Sequence, residues 1–122
     1  MTDRPADRVI STYGQGTYDT LRDVLDFADL ASQLVARGRT SYDADVTMRL
    51  AGEAICHRMG DAVARLPREF TESHPEIQFS AIKGMRDIIA HQYGEVDYRI
   101  LWNALFREFP VDATRIAQIL DL

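Results

Sequence analysis

The chain lacks the residue sets that bind common cofactors. Cys56 is its only cysteine, so no intramolecular disulfide can form. Cys56-His57 resembles a ligand pair, but one cysteine and three scattered histidines do not supply the ligand spacing of a zinc site. The glycines of Gly14-Gln-Gly16 are not followed by the Lys-Ser or Lys-Thr of a phosphate-binding loop. We therefore predict neither a metal nor a cofactor, and we assign His57 and His74 to structural or surface positions.

Long hydrophobic runs are also missing. No uninterrupted apolar stretch approaches the roughly 20 residues that a membrane-spanning helix requires. The first eight residues, Met-Thr-Asp-Arg-Pro-Ala-Asp-Arg, contain no apolar core of a signal peptide. We expect a cytoplasmic protein without membrane contacts, and an unpaired cysteine is consistent with that reducing compartment.

Lysine is almost absent, and the balance of charge is negative. Lys83 is the only lysine among 14 basic residues, and the net charge is −5. A negative protein does not offer a broad surface for nucleic acid, because phosphate is repelled by it. If the protein acts on RNA, it must do so through a local basic patch.

The alternating pattern of β-strands is missing as well, whereas apolar residues recur at steps of three and four. We predict one domain over residues 1–122, folded as an all-α antiparallel bundle of four principal helices. The first helix covers about 18–36, with Thr17 as its N-cap and Gly38 as its stop. The second begins after Ser41 and extends to Leu66.

The second half of the chain supplies the other two principal helices. The third covers about 79–92 and is capped near Gln78 or Ser80, after a connector that has room for one helical turn. Asp97 caps the fourth helix, and Pro110 should kink or split that helix near Phe109, because proline cannot continue the hydrogen-bond ladder. Residues 1–16 are predicted as a flexible extension, in which 7–13 either form a short helix or stay loose.

Polar chemistry is concentrated on the third helix. Arg86, Asp87, His91 and Tyr93 form the pattern R-x4-H-x-Y, followed by Gly94. At about 100° per residue, Asp87 and His91 share one face, whereas Arg86 and His91 lie about 140° apart. Either the helix ends near His91, or a second copy of the chain completes the site. Asp87 either orients His91 or is an ordinary surface acid.

This pattern resembles the signature of the HEPN superfamily, and specifically of its HepT branch of toxins. The segments His74-Pro-Glu-Ile, Gly84-Met-Arg-Asp, His91-x-Tyr-Gly and Val96-Asp-Tyr extend the likeness, which covers about 18–120. Met59-Gly-Asp-Ala also resembles the family's Ile-Gly-Glu-Ala, with aspartate in place of glutamate.

The resemblance implies a metal-independent ribonuclease that is a homodimer and the toxin of a toxin–antitoxin pair. It implies that Arg86 holds the scissile phosphate and that His91 transfers protons. It further implies that Tyr93 accepts AMP from a partner antitoxin, the minimal nucleotidyltransferase MntA, whereas Tyr98 is expected to be a packing residue. The alternative is a catalytically silent HEPN module that binds a nucleotidyltransferase or a nucleotide.

Overall fold

The computed structural model of the protein describes residues 4–91 and 95–122, and at positions 90 and 91 it describes the helical backbone only. Predictions about Tyr93 and Gly94, and about the side chain of His91, lie outside the described residues. Within the described ranges there are helices and no strand, which confirms the all-α prediction. The helices are α1 (Pro5–Tyr13), α2 (Gln15–Val35), α3 (Arg39–Ala44), α4 (Val46–Ala64), α5 (Arg68–Ser73), α6 (Phe79–His91), α7 (Tyr98–Asn103) and α8 (Phe109–Leu120).

Four principal helices form an antiparallel bundle, as predicted: α2, α4, α6 and the C-terminal helix that contains α7 and α8. Helix α4 is central, since it packs against α2, α6 and α7. Helix α1 packs against α2 and α8 and includes residues 7–13, so of the two forms that the sequence allowed for them they take the helical one. The core is mainly apolar and includes the fully buried rings of Tyr42, Phe70 and Phe109.

Two helix boundaries differ from the sequence predictions. Thr17 is not the N-cap of α2: it lies inside the helix, where its hydroxyl donates to the Tyr13 carbonyl at 3.0 Å. The preceding Gly14 has a φ of +96°, a conformation that favours glycine, and this residue separates α1 from α2. The predicted second helix is divided at Asp45, whose extended backbone ends α3 and whose carboxylate caps α4 by accepting from the Thr47 amide at 2.9 Å.

The C-terminal helix is not broken at Pro110. Asp97 caps it as predicted, accepting from the Arg99 amide at 2.9 Å. A π-helical turn at Ala104–Glu108 then joins α7 to α8, directly before the proline. Because proline has no N–H and its ring crowds the carbonyl four residues back, a wider turn accommodates it where a regular turn would not. The helix is therefore joined through a π turn.

Asp112 of α8 anchors the beginning of α6. Its carboxylate is buried, and Oδ1 accepts from the Gln78 amide at 3.3 Å. Desolvation raises the pKa of Asp112 above its ordinary value, although the Gln78 amide and Arg115 act in the opposite direction. Among the described residues, no donor reaches Oδ2. The anchor therefore positions α6 at some cost to stability when the carboxylate is ionised.

We predict that the stability of the wild type relative to Asp112→Asn falls as the pH rises above about 4. The folded-state pKa of Asp112 is raised above the unfolded value of 3.8, so its contribution is fully present below that value and is lost as pH rises through the folded pKa. Asparagine keeps the acceptor for Gln78 and does not titrate. Urea unfolding of both proteins across this range measures the difference, and a pH-independent difference would contradict the prediction.

Candidate active site between α4 and α6

Helices α4 and α6 approach each other closely at Gly60. A Cβ atom at this position would lie 2.7 Å from Arg86 Cβ and 3.1 Å from both the Arg86 amide nitrogen and the Ile82 carbonyl oxygen. No other residue type can occupy this position without separating the helices, because real Cβ atoms do not approach other atoms so closely. The contact places the first residue of the R-x4-H motif directly against α4.

Arg86 lies between two carboxylates at the surface of this contact. Its Nη1 donates to Asp61 Oδ1 of α4 at 3.4 Å, and its Nε lies 3.5 Å from Asp87 Oδ1. About one third of the Arg86 side chain is exposed. Asp87 is more exposed and contacts Arg86, so its carboxylate helps to orient the guanidinium. Whether it also orients His91 stays a prediction, because that side chain lies outside the described part of the chain.

Asp61 also contacts His57, which was predicted from the sequence to be a structural or surface residue. Its second oxygen, Oδ2, lies 3.5 Å from Nδ1 of His57, one helical turn earlier on α4. One carboxylate thus lies between an arginine and a histidine on neighbouring helices. The i,i+4 spacing of His57 and Asp61 was visible in the sequence, but their proximity to Arg86 depends on how α4 packs against α6.

An open cleft of about 340 Å³ extends along the same helix pair. Its lining residues come from α4 and α6: Leu50, Glu53, Ala54, His57, Arg58 and Ile89. Ile89 precedes His91 by two residues, so the cleft adjoins the end of the motif helix. A larger open cavity of about 590 Å³ lies at the opposite end of α6, near Lys83, and contains no residue of the motif.

Tyr98 packs against the core, as the sequence predicted. Its ring lies edge-on to Tyr42, and its hydroxyl donates to Glu53 Oε2 at 2.9 Å. Desolvation, followed by the bond to Glu53, raises the pKa of Tyr98. The hydroxyl is thus engaged within the fold.

Cys56 is fully buried within α4, and this burial raises the pKa of its thiol to about 12. A thiol in that environment stays protonated and is a poor nucleophile. Over residues 4–89 and 95–122, no three histidine, cysteine or acidic side chains lie close enough together to hold a metal ion. In the same ranges, no helix combines the length and the apolar character needed to cross a membrane.

Comparison with known proteins identifies the family. The family described as "Ribonuclease HepT-like" matches residues 24–119, a segment that includes α4, α6 and most of α2. The chain belongs to this HepT-like ribonuclease family. No solved structure gives a significant match to the chain.

Individual relatives match the chain over different lengths and at different identities. The chain is 40% identical over 63 residues to "Putative RNase TTE0752" of Caldanaerobacter subterraneus subsp. tengcongensis, covering 52% of this chain and 56% of that protein. It is 24% identical over 106 residues to "Putative RNase MJ0127" of Methanocaldococcus jannaschii, covering 84% and 83%. "Probable ribonuclease HepT" of Thermococcus cleftensis is 36% identical over 52 residues, covering 43% and 47%. In the first and third of these relatives, the match spans about half of the relative's length.

The contact at Gly60 yields a prediction about stability. Gly60→Ala should destabilise the fold by about 1–3 kcal/mol, because the added methyl group must displace the Arg86 backbone. Gly84→Ala is the matched control within α6: a Cβ there meets nothing within 4 Å, and the change should stabilise the helix by about 0.5–1 kcal/mol. Chemical unfolding measures both. Equal effects of the two changes would show that the close approach at Gly60 does not hold.

Proposed function

We propose that this protein is a metal-independent endoribonuclease that acts in the cytoplasm as the toxin of a HepT/MntA-type toxin–antitoxin system. Membership of the HepT-like ribonuclease family supports the reaction class. The single observation that carries the proposal is Arg86, held by Asp61 at the partly exposed edge of the α4–α6 contact. In a protein of net charge −5, a pre-oriented arginine is the local basic group that RNA binding requires.

The chemistry assigned to the motif follows from the properties of its side chains. Arginine carries five donors and keeps its charge throughout, so Arg86 can contact Asp61 and Asp87 and still bind a phosphate oxygen. An imidazole exchanges a proton near neutral pH, so His91 can remove the proton of the ribose 2′-hydroxyl. In this proposal no step depends on a metal ion.

The alternative is a catalytically silent HEPN module that binds a nucleotidyltransferase partner or a nucleotide. One observation favours it: both carboxylates beside Arg86 offset the charge that would attract RNA. Family membership and the complete R-x4-H motif favour the ribonuclease. An RNA cleavage assay separates the two, because only the enzyme produces cleaved RNA that depends on His91.

We further propose a homodimer, in which helices α4 and α6 lie near the two-fold axis. Arg86 and His91 lie about 140° apart around one helix, so a single copy cannot easily bring both to the same phosphate. Both can contact it if each site uses residues of both copies. Large apolar side chains are exposed on these same two helices: Val46, Leu50 and Ile88. A second copy of the chain would cover them.

His91→Ala should lower the rate of RNA cleavage by about 10²–10⁴-fold, because a proton-transfer group is lost. Arg86→Ala should also lose activity, since developing charge on the phosphate is no longer offset. Gel assays of purified protein with total cellular RNA measure both effects. Circular dichroism should show unchanged helicity, and full activity of His91→Ala would return this histidine to a structural role.

Two additions to this assay test the remaining parts of the proposal. Wild-type activity should be unchanged by EDTA, and strong inhibition would contradict the metal-independent mechanism. Mixing His91→Ala with Arg86→Ala should restore part of the activity, if each site combines residues of two copies. A protein that light scattering shows to be monomeric at micromolar concentration would contradict the dimer.

We also propose that a cognate minimal nucleotidyltransferase silences the enzyme by transferring AMP to Tyr93. On a regular helix Tyr93 would lie about 20° from the direction of Arg86. An AMP group there adds negative charge and bulk next to the phosphate site, which repels RNA. The proposal rests on the H-x-Y-G motif and on the family to which the chain belongs.

Tyr93→Phe should keep the ribonuclease activity, because the ring is retained, and should escape neutralisation. Intact-mass measurement after incubation with the transferase and ATP should show one or more AMP additions on the wild type and none on the variant. An addition that persists in Tyr93→Phe would place the acceptor elsewhere. Tyr98→Phe is the control, since the Tyr98 hydroxyl is engaged with Glu53.

A further inference from the structure

We propose that His57 is the second proton-transfer group of each active site and protonates the leaving group of the cleaved RNA. This inference rests on the ribonuclease activity proposed above. Cleavage without a metal needs two proton transfers, one from the 2′-hydroxyl and one to the 5′-oxygen that leaves. His57, on the helix that packs against α6, can supply the second transfer.

The packing of α4 against α6 places His57 beside the segment of α6 that carries the R-x4-H motif. The two helices run antiparallel: Gly60 faces Arg86, whereas His57, nearer the start of α4, lines the cleft with Ile89, farther along α6. The α6 backbone rises about 7.5 Å between Arg86 and His91. Along the helix axes, His57 therefore lies at a level between the backbone positions of these two residues.

The contacts of His57 give its ring a defined orientation. Nδ1 lies 3.5 Å from Asp61 Oδ2, and the same carboxylate accepts from Arg86 through Oδ1. With Nδ1 next to this acceptor, Nε2 is the nitrogen that remains for exchange with a substrate. Because Asp61 holds the ring through Nδ1 and leaves Nε2 to face a substrate, we assign His57 the role of the acid. Arg58, exposed and lining the same cleft, adds a positive charge for a flanking phosphate.

The proposed step conserves atoms and charge. The 2′-oxygen forms a bond to phosphorus as its proton passes to the His91 imidazole. The bond between phosphorus and the 5′-oxygen breaks, and the imidazolium of His57 donates its proton to that oxygen. The products are a 2′,3′-cyclic phosphate and a free 5′-hydroxyl, with a proton gained by one histidine and lost by the other.

Two histidines of the chain provide the test variant and its matched control. His57→Gln removes the titrating group, and the fold should tolerate it because the pair with Asp61 is 42% exposed on both sides and such pairs contribute little stability. His74 is the control: its Nδ1 lies 3.3 Å from Glu76 in the connector before α6, and its ring packs at a tilt against Phe70, away from the cleft. His74→Gln should keep wild-type activity.

The decisive experiment uses two RNA oligonucleotides that differ in the leaving atom at one linkage. In the second, sulfur replaces the bridging 5′-oxygen, and a thiolate leaves without protonation. His57→Gln should cleave the ordinary linkage about 10²–10⁴-fold more slowly than the wild type and the sulfur linkage within about tenfold of it. The alkaline fall of the rate–pH profile, where the acid loses its proton, should disappear in the variant.

Other outcomes would overturn the inference. An equal loss on both linkages would give His57 a role in binding or structure, and wild-type rates on both would leave it without a role. An equal effect of His74→Gln would show a general loss of folding. If the wild type itself cleaves neither substrate, or if His91→Ala is fully active, then it is the proposed ribonuclease function that fails.

Discussion

The contact between Gly60 and Arg86 is the constraint on which the candidate site depends. Helices normally pack with side chains between them, but here an α-carbon of α4 lies against the backbone of α6. This closeness brings the first motif residue within reach of Asp61, the residue that follows the glycine. The cost is that the position accepts no side chain, since even a methyl group would separate the helices.

Charged groups of both signs meet at the contact between α4 and α6. Asp61 lies between Arg86 and His57, and Asp87 lies on the other side of the arginine. Carboxylates so close to a cation lower its attraction for RNA, but they also fix its direction before the substrate arrives. The proposed mechanism depends on that orientation, because a pre-oriented group loses less entropy when the phosphate binds.

Two features hold helix α6 in place: the contact of Asp112 and the joined C-terminal helix that carries it. Asp112 binds the backbone that precedes α6, and its position on α8 follows from a C-terminal helix that stays joined through the π turn before Pro110. If the helix were broken before Pro110, α8 could run in another direction relative to α7. The buried Asp112 carboxylate lowers the stability of the fold when it is ionised. The same carboxylate fixes the position at which α6 begins.

The sequence by itself determined the helical class, the number of principal helices, the Asp97 cap and the family, because these depend on periodicity and short motifs. It did not determine that α3 ends at Asp45 or that Pro110 follows a π turn, since neighbouring packing decides between alternatives of similar local energy. The link from Arg86 through Asp61 to His57 was decided by tertiary structure alone. It joins residues up to 29 positions apart, and only the close approach of α4 to α6 makes them neighbours.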